Sequence, residues 1–224
     1  MTLGEAYGNG GTDESGPAGN EHAHDARRLC RAVNSATLPP VRRLPTRLDG
    51  PVLIEPTVHG DARGFFLETY RRGVFAELGI EADFVQINHS RSRQGIVRGM
   101  HFQPGMGKLV SCAHGAIVDV LVDIRRRSGA FGQWEAFELN DANHHQLYCP
   151  SGFAHGFCVT SDFADVLYGC TTYYDPSAEG GFAYNDPDVG IGWPADLELV
   201  ASPRDAAAPR LAEIADSLVF EYVA

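Results

Sequence analysis

The sequence predicts an all-β fold, a jelly roll with a few short helices. Three observations carry this. From Pro51 onward, about ten short runs rich in Val, Ile, Phe and Tyr recur roughly every 8–12 residues. Gly, Pro, Asp, Asn and Ser separate them, the residues that close strands and open turns. No unit of about 20–50 residues repeats, which excludes a solenoid or a propeller.

In order, the runs are VLIEP from Val52, FFLETY from Phe65, FVQINHS from Phe84 and IVRGMHFQ from Ile96. KLVSCA from Lys108, AIVDVLVDI from Ala116, GQWEAFEL from Gly132 and HQLYC from His145 follow. FAHGFCV from Phe153 and ADVLYGCTTYY from Ala164 complete the series. Within AIVDVLVDI, Asp119 and Asp123 stand among apolar residues. One helix is expected near Arg72–Leu78 and another in DAAAPRLAEIADSL, from Asp205 to Leu218.

The chain has 224 residues, which suits one domain that buries a full core, alone or with a tail. Residues 1–46 differ from the rest. The first 25 are rich in Gly, Asp, Glu and Asn, and Arg27–Arg47 holds six arginines around TLPPV. Apolar residues there follow no regular period, so residues 1–46 are expected to be a disordered or loosely packed extension of the 47–224 domain. His22 and His24 form an HxH pair in that extension and read as incidental.

A hydrophobic share of 44% indicates a soluble globular chain, and no apolar run approaches the ~20 residues that span a membrane. The N-terminus lacks a secretory pattern. Net charge is −11, and residues 48–224 carry 12 basic and 24 acidic side chains. That balance argues against nucleic-acid binding and requires that any anionic ligand be held by a few placed cations. Five cysteines, Cys30, Cys112, Cys149, Cys158 and Cys170, show no CxxC pairing. Cys158 and Cys170 lie in apolar runs and read as core thiols, so a reducing, cytoplasmic setting is expected.

Several ionisable groups sit inside these strands, where burial is costly without a partner. They are His101 between Met100 and Phe102, His155 in GFAHGF, and Tyr168 in DVLYGC. Singly, each reads as hydrogen-bonded core or packing. Together with Arg63, Arg98 and Lys108, and with Gln86 and Asn88 on one strand face, they form a set that a jelly-roll mouth could gather. Lys108 is the one lysine among 17 arginines. A compact ammonium suits a tight site with a single oxygen to neutralise. A metal site is not expected: the strand reads His101-Phe-Gln103 rather than HxH, and the adjacent His144 and His145 would point to opposite faces of a strand.

In order along the chain, IEPTVHGDARGFFLETY, FVQINHSRS, VRGMHFQ…KLV, GFAHGF, LYGCTTYYDPSAEGG and NDPDVGIGWP resemble the dTDP-4-dehydrorhamnose 3,5-epimerase family. The resemblance runs from about Pro51 to about Pro209. It implies a cupin-type jelly roll without metal or other cofactor, usually a homodimer, with no nucleic-acid or membrane partner. It also implies epimerisation of dTDP-4-dehydro-6-deoxy-glucose at carbons 3 and 5, on either side of the ketone, for deoxysugar biosynthesis. By the same resemblance His101 is the base, Asp205 orients it, Lys108 faces the developing enolate and Tyr168 is the acid on the opposite face. Arg63, Glu68, Gln86, Asn88, Arg98, His155 and Tyr174 are the implied substrate contacts.

The reaction needs those residue types. A proton beside a ketone leaves as charge moves onto the carbonyl oxygen, so histidine serves as base and a fixed cation meets the oxyanion. A carboxylate on the other ring nitrogen fixes the tautomer, and arginine forks suit a pyrophosphate. Two departures from the family pattern bear on specificity. Only PGMG separates the HFQ and KLV segments, where the family has a longer loop, and Gly169-Cys170 follow the tyrosine in place of a lysine-containing pair. Inversion at carbon 3 or carbon 5 alone, a non-catalytic sugar-nucleotide-binding cupin and a metal-dependent cupin oxygenase remain the alternatives.

Overall fold

The computed structural model describes residues 41–223. Thirteen strands and three short helices occur among them. Strands β1 (Arg42–Leu44), β2 (Val52–Glu55), β5 (Gln86–Arg93), β7 (Lys108–His114), β10 (Gln146–Cys149) and β12 (Phe163–Cys170) form a six-stranded sheet. Its order is β1-β2-β10-β7-β12-β5. Strands β6 (Val97–Phe102), β8 (Ala116–Asp123), β9 (Trp134–Asn140), β11 (Phe153–Val159) and β13 (Gly180–Gly181) form a five-stranded sheet, ordered β13-β6-β11-β8-β9. A separate hairpin pairs β3 (Val58–Asp61) with β4 (Gly64–Leu67). The predicted all-β jelly roll is therefore the observed architecture, two open sheets rather than a closed barrel.

The main core lies between the sheets. Val110, Leu147 and Val166 from one meet Ile117, Leu121, Leu139 and Phe157 from the other. Each such side chain contributes on the order of 1.5–3 kcal/mol by leaving water. Strand β8 is buried on both faces, which explains its nearly continuous apolar sequence. Its Val120 and Val122 face a second cluster with Met100, Phe182, Leu211 and Phe220, where the C-terminal segment covers the sheet.

The expected helix at Arg72–Leu78 appears as α1 (Arg72–Glu77), which lays Phe75 on Val52, Ile54 and Leu109 of the six-stranded sheet. Gly79, at φ +91°, ends it. The Ile80 amide donates to the Phe75 carbonyl and the Gly79 amide to the Ala76 carbonyl, a Schellman closure that needs a left-handed residue.

The expected helix over Asp205–Leu218 is instead divided. Helix α2 (Pro203–Ala206) and helix α3 (Leu211–Ile214) flank Pro209, and a 3₁₀ turn (Ala215–Ser217) follows. Proline has no amide to donate and disfavours helix in the residue before it, so the chain breaks there. Of the expected N-terminal extension, residues 1–40, with His22 and His24, lie outside the described residues. Arg42–Leu44, still within the extension's expected bounds, pair with β2 as β1. No described helix is long and apolar enough to cross a membrane.

Candidate active site

A cavity of about 600 Å³ has walls from both sheets. Period two on β5 points Gln86, Asn88 and Ser90 at it from the six-stranded sheet. Tyr168 is the Cα partner of Asn88, and Cys170 is the partner of Lys108, so β5, β12 and β7 present one continuous polar wall. Arg98 and His101 on β6 and His155 on β11 form the facing wall.

Arg98 and His101 share that wall because of an irregularity. His155 pairs with His101, but Phe157 pairs with Arg98, so one extra residue is inserted on β6. Residues three apart in a regular strand point to opposite faces. The bulge turns both Arg98 and His101 to the cavity. Glycine makes the bulge possible. Gly99 has φ +141°, and a Cβ on it would lie 2.5 Å from the Cα of Gly156. The glycines of RGMH and FAHGF thus let two backbones touch beneath the site.

The His101 Nε2–H donates to Asp205 Oδ1 at 2.7 Å. Asp205 reaches it from α2, whose start is fixed by Ser202 as N-cap, its Oγ accepting from the Asp205 amide at 3.1 Å, and by Pro203 at the first helical position. Asp205 is buried, whereas the His101 side chain is 25% exposed, open toward the cavity. With Nε2 held, Nδ1 is the ring nitrogen left to exchange a proton with a ligand. The facing wall offers the opposite function. Burial, reinforced by Cys170, pushes the Tyr168 phenol above its ordinary range, against a weaker opposing effect of Arg98. The phenol therefore keeps its proton at neutral pH. Burial likewise raises the Cys170 thiol, with Lys108 acting in the other direction.

A second set of polar side chains frames the mouth. Gln86 Oε1 accepts from the Tyr174 amide at 3.0 Å, and its Nε2 donates to Asn88 Oδ1 at 3.0 Å. Gln103 holds the same loop, accepting from the Asp175 amide at 2.9 Å and donating to the Tyr173 carbonyl at 3.0 Å. Tyr174 donates its hydroxyl to Glu179 Oε2 at 3.0 Å, and Arg204 pairs with the same oxygen at 2.5 Å.

Of the eleven residues singled out in the sequence, nine line this cavity: His101, Asp205, Lys108, Tyr168, Gln86, Asn88, Arg98, His155 and Tyr174. Arg63 and Glu68 do not. Arg63 sits on the β3–β4 turn with its side chain 90% exposed, paired with Asp61, and Glu68 pairs with Arg71 at 2.5 Å. Sequence reading missed Ser90, Gln103, Glu179 and Arg204. Gln103, Arg204 and Ser90 had a signal: Gln103 stands two residues from His101, Arg204 adjoins Asp205, and Ser90 continues the Gln86–Asn88 alternation. Among the described residues, no three His, Cys, Asp or Glu side chains are grouped to hold a metal ion.

The sequence model of the dTDP-4-dehydrorhamnose 3,5-epimerase family matches residues 45–213. The chain is 48% identical over 170 residues to the dTDP-4-dehydrorhamnose 3,5-epimerase of Salmonella typhimurium, covering 74% of this chain and 93% of that protein. The crystal structure of dTDP-6-deoxy-D-glucose-3,5-epimerase from Legionella pneumophila, in complex with dTDP-4-keto-L-rhamnose, superposes with a TM-score of 0.79. It is 44% identical and the match covers 82% of this chain and all of that one. A 4-keto-6-deoxy sugar epimerase from the novobiocin gene cluster of Streptomyces spheroides gives a TM-score of 0.77 at 38% identity, over 83% of this chain and 97% of that one. This chain belongs to the dTDP-4-dehydrorhamnose 3,5-epimerase family.

Proposed function

We infer that this protein epimerises dTDP-4-dehydro-6-deoxy-glucose at carbons 3 and 5 through an enolate. The observation that supports this most is the placement of an Asp205-backed imidazole and a protonated phenol on facing walls of one cavity, with a single ammonium between the motifs. His101 Nδ1 removes the proton from a carbon beside the ketone. The C–H electron pair becomes the new C=C bond while the carbonyl π pair moves to oxygen, where Lys108 meets the charge. Tyr168 returns a proton to the opposite face, and the configuration inverts. Asp205 fixes the His101 tautomer and balances the imidazolium.

Arg98, Gln86, Asn88, His155 and Tyr174 are substrate contacts in this reading. Arg98 can grip a pyrophosphate through its terminal nitrogens, since among the described residues only its Nε is engaged, donating to Ser92 Oγ at 2.9 Å. Arg63 and Glu68 fit only if the β3–β4 hairpin reaches a second copy. A homodimer suits that hairpin, whose Phe65 and Phe66 are 62% and 68% exposed. A cytoplasmic setting suits four buried, unpaired cysteines.

The test is incubation with dTDP-4-dehydro-6-deoxy-glucose in deuterium oxide, with the label read by position. Deuterium at carbons 3 and 5 with inversion is expected. Label at one carbon alone would make the protein a mono-epimerase, the alternative suggested by the short PGMG loop. Nucleotide binding without exchange at either carbon would make it a silent binding cupin.

A further inference from the structure

The cavity contains a second histidine–carboxylate pair, of which the epimerase reading uses the histidine as a substrate contact and gives the carboxylate no role. His155 is the cross-strand partner of His101, so the two imidazoles stand side by side on the same wall. The His155 Nε2–H donates to Asp119 Oδ2 at 2.9 Å. Asp119 comes from β8 on the far side of β11, opposite Phe157.

Its position is expensive. Along β8 it stands between Ile117 and Leu121, both in the core between the sheets, and it is 0% exposed. Its other oxygen, Oδ1, is buried without a hydrogen-bond partner. A carboxylate without water and with half its acceptors empty weakens the fold, and an apolar side chain would pack this stripe better. What the carboxylate supplies is direction. It holds the ring by Nε2, and His155, buried at 7% exposure, has no partner for Nδ1 among the described residues although the ring lines the cavity.

We propose that Asp119 is a positioning residue for ligand binding: it holds His155 as the Nε2–H form and turns Nδ1 toward a hydroxyl or phosphate oxygen of a sugar nucleotide. The two pairs then divide the work. His101, more open and backed from a helix, handles protons, while His155, locked within the sheet, grips the ligand. This inference rests on the sugar-nucleotide reading, so its test uses a ligand that cannot react.

Asp119→Asn preserves shape and removes the carboxylate. Its affinity for dTDP-glucose, which has no 4-ketone, is measured by calorimetry, and the ring-nitrogen NMR shifts of His155 are read in the same folded sample. Asp119→Asn is expected to weaken binding about tenfold, ~1.4 kcal/mol, and to alter the His155 nitrogen pattern. In turnover, KM rises by the same factor and kcat changes less than about threefold. The double variant Asp119→Asn/His155→Ala is expected to bind no more weakly than His155→Ala alone. Unchanged affinity with an unchanged nitrogen pattern would overturn the inference, as would additive losses in the double variant. A wild-type protein that binds dTDP-glucose but never exchanges deuterium would sink the epimerase reading and leave this one standing. A wild-type protein that fails to bind dTDP-glucose would overturn both.

Discussion

The two histidine–aspartate pairs differ in how their carboxylates arrive. Asp205 lies 104 residues from His101 in sequence and reaches it from a short helix over the cavity mouth, at 2.7 Å. Asp119 lies 36 residues from His155, on the adjacent strand of the same sheet, at 2.9 Å. One imidazole is a quarter exposed, and the other is sealed on a carboxylate with no contact to water. A group that must take and release protons needs access to its substrate and a partner for its charged form. A group that only orients a ligand benefits from rigidity. In the proposed assignment the same pair of residue types serves two purposes, separated by exposure and by the element that carries the acid.

Disabling the open pair should cost the most. His101→Asn and Asp205→Asn are expected to lower kcat by about 10³, ~4.1 kcal/mol, with KM nearly unchanged. Steady-state kinetics by NMR checks this, and the contrast with the KM effect at Asp119 sharpens the division; equal KM and kcat effects at both pairs would break it. Lys108→Met should follow, with kcat lower by roughly 10²–10³. Lys108→Arg should not restore it, because a planar fork does not replace a compact ammonium.

Gly99→Ala tests the bulge that brings Arg98 and His101 to one wall. A Cβ 2.5 Å from Gly156 Cα forces the strands apart, and a loss of about 3 kcal/mol in denaturant unfolding is expected. A variant as stable as wild type would show that the register slip is not required.

Tyr168 gives a smaller, pH-dependent effect. Its phenol is raised by burial, so it stays protonated through neutral pH and ionises above the ordinary value of ~10. The sign follows: stability from the neutral phenol is intact below pH ~10 and declines above it, as the unfolded chain ionises first. Alkaline absorbance titration of wild type minus Tyr168→Phe should give a midpoint above ~10; a midpoint below that would contradict the assigned burial. Smallest of all, Cys149, pushed to about 12, and Cys112, pushed to about 11, should resist alkylation at pH 8 in the folded protein and react only on unfolding.

Much of this was legible in the sequence, for physical reasons. Period-two patterning and turn residues located the strands between β5 and β12, and the Gln86–Asn88 alternation correctly predicted a shared face. The bulge was hidden, because an inserted residue leaves no mark in a hydrophobic pattern; read as a regular strand, Arg98 and His101 diverge. Strands β1, β3 and β13 were hidden too. Arg42–Leu44 and Val58–Asp61 are mostly polar or exposed, and Gly180–Gly181 has no side chains to pattern. Asp119 was visible as an acid among apolar residues, but its partner comes from another strand, which spacing does not reveal. Glu68 came from family resemblance alone and Arg63 also from its grouping with Arg98 and Lys108, and within one chain both lie outside the cavity lining.

The most direct measurement follows deuterium uptake from solvent into dTDP-4-dehydro-6-deoxy-glucose with His101→Asn and Tyr168→Phe side by side. With the base intact and the acid removed, Tyr168→Phe should still wash deuterium into the sugar, without inversion, while His101→Asn should incorporate none. Undiminished wash-in by His101→Asn, or full inversion by Tyr168→Phe, would contradict the assignment of base and acid to these two facing walls.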